Sequence, residues 1–275
     1  MTALELIAVL AAAMGIGAIS SILGIGGGSL FVPLMVLGLG LDGRTAVGTS
    51  LFIILFTALS STLAYAREHM IDYELALTLS LGTVPGSLIG AYTTRFISSS
   101  WLTIAFSVFL CLTAARMLIP PKAYREGSEG PRAQDTVRSL PDARWDRSIY
   151  RMQLKPGVAA SFIAGFVSSL LGIGGGVVMV PAMNLLLGVP IHLSVAASML
   201  IICFTSSSGV IVHWTLRQVS LYFGIVIAIG ACIGAQIGAH TAYKIKPLML
   251  KRLFGATLIL ISARMFLLGA SNILR

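Results

Sequence analysis

Long apolar runs separated by short polar interruptions fill nearly the whole chain, and they fall at residues 4–39, 45–66, 73–95, 99–119, 157–188, 192–214, 219–243 and 249–270. About 20 predominantly apolar residues in helix cross a hydrocarbon layer ~30 Å thick, so each run predicts at least one membrane-spanning helix. Two of the eight are overlong. A single helix over 4–39 would extend about 54 Å at 1.5 Å per residue, so something in it must bend.

Both overlong runs carry the same interruption. Residues 20–33 read SSILGIGGGSLFVP and residues 168–181 read SSLLGIGGGVVMVP, identical at ten of fourteen positions. The offset of 148 residues that aligns them also aligns Ser50 with Ser198, Phe56-Thr57 with Phe204-Thr205, Ser60 with Ser208, Thr93 with Thr241 and Arg116-Met117 with Arg264-Met265, with no gap between 20 and 117. The chain therefore reads as two homologous membrane halves, 1–119 and 157–275, of about four apolar segments each. Two similar halves enclosing a site at their interface are a common way to build a transporter.

Residues 120–156 differ in character, with eight Lys or Arg, five acids and five prolines and no helical or strand periodicity. We read them as a polar linker on the cytoplasmic side rather than a nucleic-acid-binding segment, because the charges are mixed in sign and membrane lies on both sides. If each overlong run makes an even number of crossings, the halves are inverted and 14 Lys or Arg lie inside against 5 outside. Single crossings give 13 against 6. The positive-inside rule thus favours inverted repeats by one residue.

Composition agrees with a lipid solvent: 56% of residues are hydrophobic, 11% are charged, and the mean hydropathy is +0.92. The N-terminus is not read as a secretory signal, since it carries Glu5 where a cationic leader would be expected and its pattern recurs near residue 157. More informative is where the acids lie. Glu5, Asp42, Glu68, Asp72 and Glu74 sit near segment ends, the other five lie in the linker, and residues 157–275 contain none, while the net charge is +9. Carriers of cations usually need a buried carboxylate as counter-ion. An anion or a neutral solute is therefore expected.

The glycine clusters suit an anion. Each glycine lowers helix stability by about 1 kcal/mol relative to alanine, so the helix is expected to break at Gly24, Gly26, Gly27 and Gly28, and again at Gly172, Gly174, Gly175 and Gly176. At membrane depth a break persists only where protein buries it or where it lines a wet cavity. Helices resuming at Ser29 and Val177 would point free N–H groups and the positive end of the dipole into the break. Ser20, Ser21, Ser168 and Ser169 before the breaks, and Thr49, Ser50, Thr57, Ser198 and Thr205 on the following segments, add uncharged donors. These residues form the candidate substrate-binding set, weighed against ordinary packing of small residues in membrane helices.

Other features read as architecture. Gly82, Gly86 and Gly90 match Gly230, Gly234 and Gly238, a four-residue spacing that lets a neighbouring backbone approach. Arg116 and Arg264 lie near segment ends, where long side chains reach the headgroups. His213 replaces Tyr65 and His240 replaces Tyr92 in the repeat register, and both are read as packing histidines at helix ends, with a proton shuttle as the alternative. Cys111, Cys203 and Cys232 show no metal spacing, so neither metal nor cofactor is expected. The sequence GIGGGS lacks the Lys-Ser/Thr ending of a phosphate loop.

The doubled SSxLGIGGGxxxVP, followed in each half by a serine-bearing segment (GTSLFIILFTALSS and AASMLIICFTSSSG), resembles the sulfite exporter family named after TauE and SafE. The resemblance spans 1–119 and 157–275 and excludes the linker. It implies an all-α, multi-pass protein of the cell (inner) membrane that moves sulfite, organosulfonates or related sulfur-containing anions outward, its partners being that anion and the bilayer, with no nucleic acid. An alternating-access carrier is the reading, with an anion channel as first alternative. A membrane enzyme is disfavoured because no intramembrane nucleophile has a paired base. A homo-oligomer is not indicated.

Overall fold

The computed structural model describes residues 3–118, 136–140, 148–152, 154–185, 187, 189–242, 259, 262–267 and 271, and most of the run at 249–270 lies outside them. The described chain is helical: α1 Ala3–Leu23, α2 Gly28–Pro33 continued by a π-helical turn Leu34–Gly38, α3 Gly43–Arg67, α4 Tyr73–Thr93 closed by a 3₁₀ turn Thr94–Phe96, α5 Ser99–Leu118, α6 Leu154–Leu171, α7 Gly176–Leu185, α8 Ile191–Thr215 and α9 Leu221–Thr241. Five described helices are long and apolar enough to span a membrane. The protein is a multi-pass membrane protein. Residues 28–38, at about 16 Å, reach only half the hydrocarbon thickness.

In the linker the structure departs from the expectation of no regular element. Strands β1 Thr136–Leu140 and β2 Ser148–Met152 pair antiparallel, Thr136 opposite Met152 and Leu140 opposite Ser148. The alternation is masked in the sequence because arginines interrupt both strands.

Polarity is inverted relative to a water-soluble protein. Leu81, Phe96, Leu112, Ile163 and Ile211 are exposed, whereas most of the buried polar side chains are serine or threonine. Two acids cap helices: the Asp42 carboxylate accepts from the Arg44 N–H at 3.1 Å, and that of Asp72 from the Leu75 N–H at 3.0 Å.

Helix pairing exchanges the two ends of the chain, α1 lying along α9 and α6 along α4. Glycines permit it. A Cβ on Gly86 or Gly90 would collide with the carbonyl of Phe162 or Phe166, and one on Gly234 or Gly238 with that of Met14 or Ala18. Gly165 on α6 and Gly17 on α1 press in return on the carbonyls of Thr83 and Ala231. Small residues at spacing four bring backbones together where lipid supplies no hydrophobic drive.

Gly234→Ala is therefore expected to destabilise the protein by about 1–3 kcal/mol through overpacking. Gly15→Ala, where a Cβ meets nothing within 4 Å, should leave stability unchanged or raise it by up to ~1 kcal/mol. Thermal unfolding of both variants in detergent checks the contrast.

Candidate functional site

Helix α1 ends in the pair Ser20-Ser21. The Ile25 N–H donates to the Ser20 carbonyl at 3.1 Å and that of Gly24 to the Ser21 carbonyl at 3.3 Å; the chain then passes through Gly24, Gly26 and Gly27 at φ 71, 75 and 92°. Helix α2 follows, with the Leu30 and Phe31 amides on the Gly27 carbonyl, both at 2.9 Å. The second half repeats these steps: Ile173 donates to Ser168 at 2.9 Å, Gly172, Gly174 and Gly175 have φ of 70, 86 and 90°, and Val178 and Met179 close on Gly175 at 3.1 and 2.9 Å. Gly27 and Gly175 immediately precede the new helices in a left-handed conformation that any side chain would strain.

The two tracts lie against each other. A Cβ on Gly28 would overlap the Gly172 carbonyl and sit 2.6 Å from Ile173 Cα; one on Gly176 would overlap the Gly24 carbonyl and sit 2.6 Å from Ile25 Cα. Serines of the opposite half tie them down. The Ser50 hydroxyl lies 2.5 Å from the Gly172 carbonyl and 2.9 Å from that of Val47, and the Ser198 hydroxyl lies 2.7 Å from the carbonyls of both Gly24 and Val195. Ile54 and Ile202, equivalent in the repeat register, wedge between the tracts, each within 3.5 Å of where a Cβ on Gly26 or Gly174 would stand.

The last turns before the glycines are held in the same way. The Tyr65 hydroxyl donates to the Ser21 carbonyl at 2.8 Å, and His213 Nε2 lies 3.2 Å from the Ser169 carbonyl. The Ser169 hydroxyl meets that of Ser87 at 2.7 Å, and Ser87 meets Ser208 at 2.8 Å. Ser87 serves the second tract; its repeat equivalent beside the first is Ala235, and there Ser21 Oγ is left without a partner.

All the candidate hydroxyls are buried, but they divide into three kinds. Ser20, Thr57 and Thr205 return their hydroxyls to carbonyls one turn back on their own helices, and Thr49 accepts the Ser220 N–H that starts α9. Ser50, Ser198 and Ser169 make the ties described above. Ser21, Ser29 and Ser168 have buried hydroxyls with no partner at all. Around Gly175 there is room: a Cβ would stand 3.4 Å from Ser168 Oγ and 3.9 Å from Thr205 Cγ2. At Gly27 the same position is crowded by the Phe31 ring at 2.6 Å and Ser20 Oγ at 2.7 Å.

Ile54, Ile202 and Ser87 are not among the sequence candidates, and Tyr65 and His213, paired there by the repeat register, prove to brace main-chain carbonyls. The repeat register was the available signal: it keeps Ile at 54 and 202, and it sets Ser87 against Ala235. Among the described residues no group of three or more His, Cys, Asp or Glu could hold a metal.

An unpartnered buried hydroxyl costs about 1–3 kcal/mol, so Ser168→Ala and Ser21→Ala should leave thermal stability unchanged or raised. Ser50→Ala and Ser198→Ala remove ties to the opposite tract and should each lose about 1 kcal/mol or more. Melting curves of the four variants test this division.

Comparison with known proteins accords with this architecture. The family model described as sulfite exporter TauE/SafE matches residues 9–265. The chain is 34% identical over 262 residues to the probable membrane transporter protein YunE of Bacillus subtilis, covering 92% of this chain and 94% of that one. A probable membrane transporter protein of Methanocaldococcus jannaschii is 26% identical over 258 residues, 88% of each chain. A sulfite exporter TauE/SafE family protein of Arabidopsis thaliana is 33% identical over 100 residues, covering 36% of this chain and 22% of that one. No solved structure matches. With its family match running through both membrane regions, the chain belongs to the sulfite exporter TauE/SafE family of membrane transporters.

Proposed function

We propose that this transporter carries sulfite, organosulfonates or related small sulfur-containing anions outward across the cell (inner) membrane by alternating access. The two halves act as inverted repeats, each with a first helix broken at its glycine tract, and linker 120–156 faces the cytoplasm. Supporting this is one observation above all: the two tracts meet inside the protein, beside buried serine hydroxyls that bond to nothing. Main-chain and hydroxyl donors with no fixed negative charge suit an oxyanion, and residues 157–275 hold no acid to repel one. Exchange of the halves turns the α1–α9 packing into α6–α4, as a pseudo-two-fold requires.

Mechanistically, the packing of Ile54 and Ile202 between the tracts is that of a closed carrier. Rocking of one half against the other parts these side chains on one side at a time. The Gly26–Gly28 and Gly174–Gly176 amides then share the anion with Ser168, Ser21 and Ser29. A membrane potential negative inside drives each negative charge outward by about 2.3 kcal/mol per 100 mV, so export proceeds without a second substrate.

Vesicles containing the purified protein and loaded with sulfite or sulfoacetate should release them faster than empty vesicles, and should exchange labelled for unlabelled anion saturably. Ser168→Ala is expected to cut the rate about 10- to 100-fold with folding intact, the loss of one hydrogen bond to a charged group. Wild-type rates in Ser168→Ala would exclude this site, and single-channel current in place of saturable exchange would make the protein a channel.

A further inference from the structure

Tyr65 and His213 occupy equivalent positions in the repeat and perform the same task, holding a main-chain carbonyl in the last turn before a glycine tract. One of the two can change charge near neutral pH. Of the four histidines in the chain, His213 alone is buried, and its surroundings have a specific form. Nε2 faces the Ser169 carbonyl at 3.2 Å, while Nδ1 faces Gln218 Oε1 at 2.7 Å; Thr94 Oγ1 lies 3.2 Å from the same amide oxygen and 2.7 Å from the Ala91 carbonyl.

Both ring nitrogens thus face carbonyl oxygens, a pattern satisfied in full by an imidazolium carrying two N–H groups. Turning the Gln218 amide over presents its NH₂ to Nδ1 and to Thr94 Oγ1. The neutral ring is then satisfied as well: Nε2–H donates to Ser169, Nδ1 accepts from Gln218, and Thr94 still donates to Ala91. The two states differ by one proton and one amide rotation, and in both the two ring nitrogens are satisfied. Gln218 is half-buried just after α8, so it links the buried ring to the outside of the protein.

We infer that His213, with Gln218 as its switchable partner, is a proton-binding site that couples protonation to anion binding at the second glycine tract. This rests on the reading of that tract as an anion site. An imidazolium bonded to Ser169 brings positive charge to the C-terminal end of α6, a position that favours cations and lies three residues before Gly172. It attracts an anion there. By reciprocity the bound anion tightens proton binding by the same factor, so pH sets the affinity of the site for its anion.

The two bonds shown for the ring run to uncharged oxygens. From α3 the ring's helix position is met by Gly48, from α6 by the Ser169 carbonyl, and from the end of α4, through Gln218, by Thr94. Of the ionisable side chains on these elements, Arg44 bonds the Ile97 carbonyl, Tyr65 the Ser21 carbonyl and Arg95 the Tyr92 hydroxyl, Arg67, Tyr73, Glu74, Tyr92 and Arg217 are exposed, and Glu68 and His192 lie at the far ends of α3 and α8, about 30 Å along the helix from Gly48 and His213.

Histidine-labelled protein in lipid vesicles, observed by nitrogen NMR from pH 5 to 8.5, tests the site directly, with His213→Tyr identifying the signal. That substitution installs the residue that does the equivalent work at position 65. A doubly protonated ring should appear on acidification, with its midpoint raised by 100 mM methanesulfonate, which stays fully ionised over this range. Gln218→Leu should move the midpoint. In flux measurements the wild type should bind anion about 5- to 150-fold more tightly at pH 6 than at pH 8, and the profile of His213→Tyr should be flat whatever its absolute rate. A ring that stays in one protonation state throughout overturns the proton site, as does a His213→Tyr profile with wild-type pH dependence; a midpoint that ignores the anion overturns the coupling. Failure of the transport reading is distinguishable, because wild-type vesicles would then move no sulfonate or sulfite at any pH while the ring titrated independently.

Discussion

Inside a bilayer a main-chain N–H or C=O without a partner costs several kcal/mol, and an interrupted helix exposes several at once. The structure depends on how that cost is met at Gly24–Gly28 and Gly172–Gly176. Neither tract is satisfied from its own half alone. The Gly172 carbonyl is bound by Ser50 and the Gly24 carbonyl by Ser198, so each half supplies the donor that the other needs. Tyr65 and His213 then hold the final turns of α1 and α6. Loosening one half therefore exposes polar groups in both, which couples the two physically.

Such reciprocity requires close approach, and the glycine stripes on α4 and α9 provide it. With carbonyls of α6 and α1 lying where a Cβ would otherwise be, the helices meet backbone to backbone and carry the tracts into contact. The same economy leaves an excess at the centre. Ser21, Ser29 and Ser168 bury hydroxyls that stabilise nothing in this conformation. Each is a buried polar group that costs stability in this conformation, the kind of exception a native structure keeps for a reason.

How much of this was readable beforehand differs from feature to feature. The apolar runs were legible because length and hydropathy decide membrane spanning almost alone, and α3, α4, α8 and α9 begin and end close to the runs at 45–66, 73–95, 192–214 and 219–243. The stripes were legible because spacing four on a helix is a local property. The fate of each hydroxyl was not. Thr57 and Ser50 lie two turns apart on one helix, yet the first bonds its own backbone and the second crosses to the other half, a difference set by which element packs opposite. The role of His213 was hidden for the same reason: the carbonyl it serves belongs to Ser169, 44 residues away in sequence. The linker ribbon escaped because pairing between two short, arginine-bearing strands is not a periodic signal.

The central claim is that an oxyanion is held by uncharged donors where the two tracts meet. Selenite, a heavier oxyanion of the same shape as sulfite, can be located by its anomalous scattering in crystals of the protein grown with it. The account predicts a selenium peak with its oxygens within hydrogen-bond distance of Ser168 Oγ and the amides of Gly174–Gly176. Selenium found only beside surface arginines and lysines, with none at either tract, would contradict it.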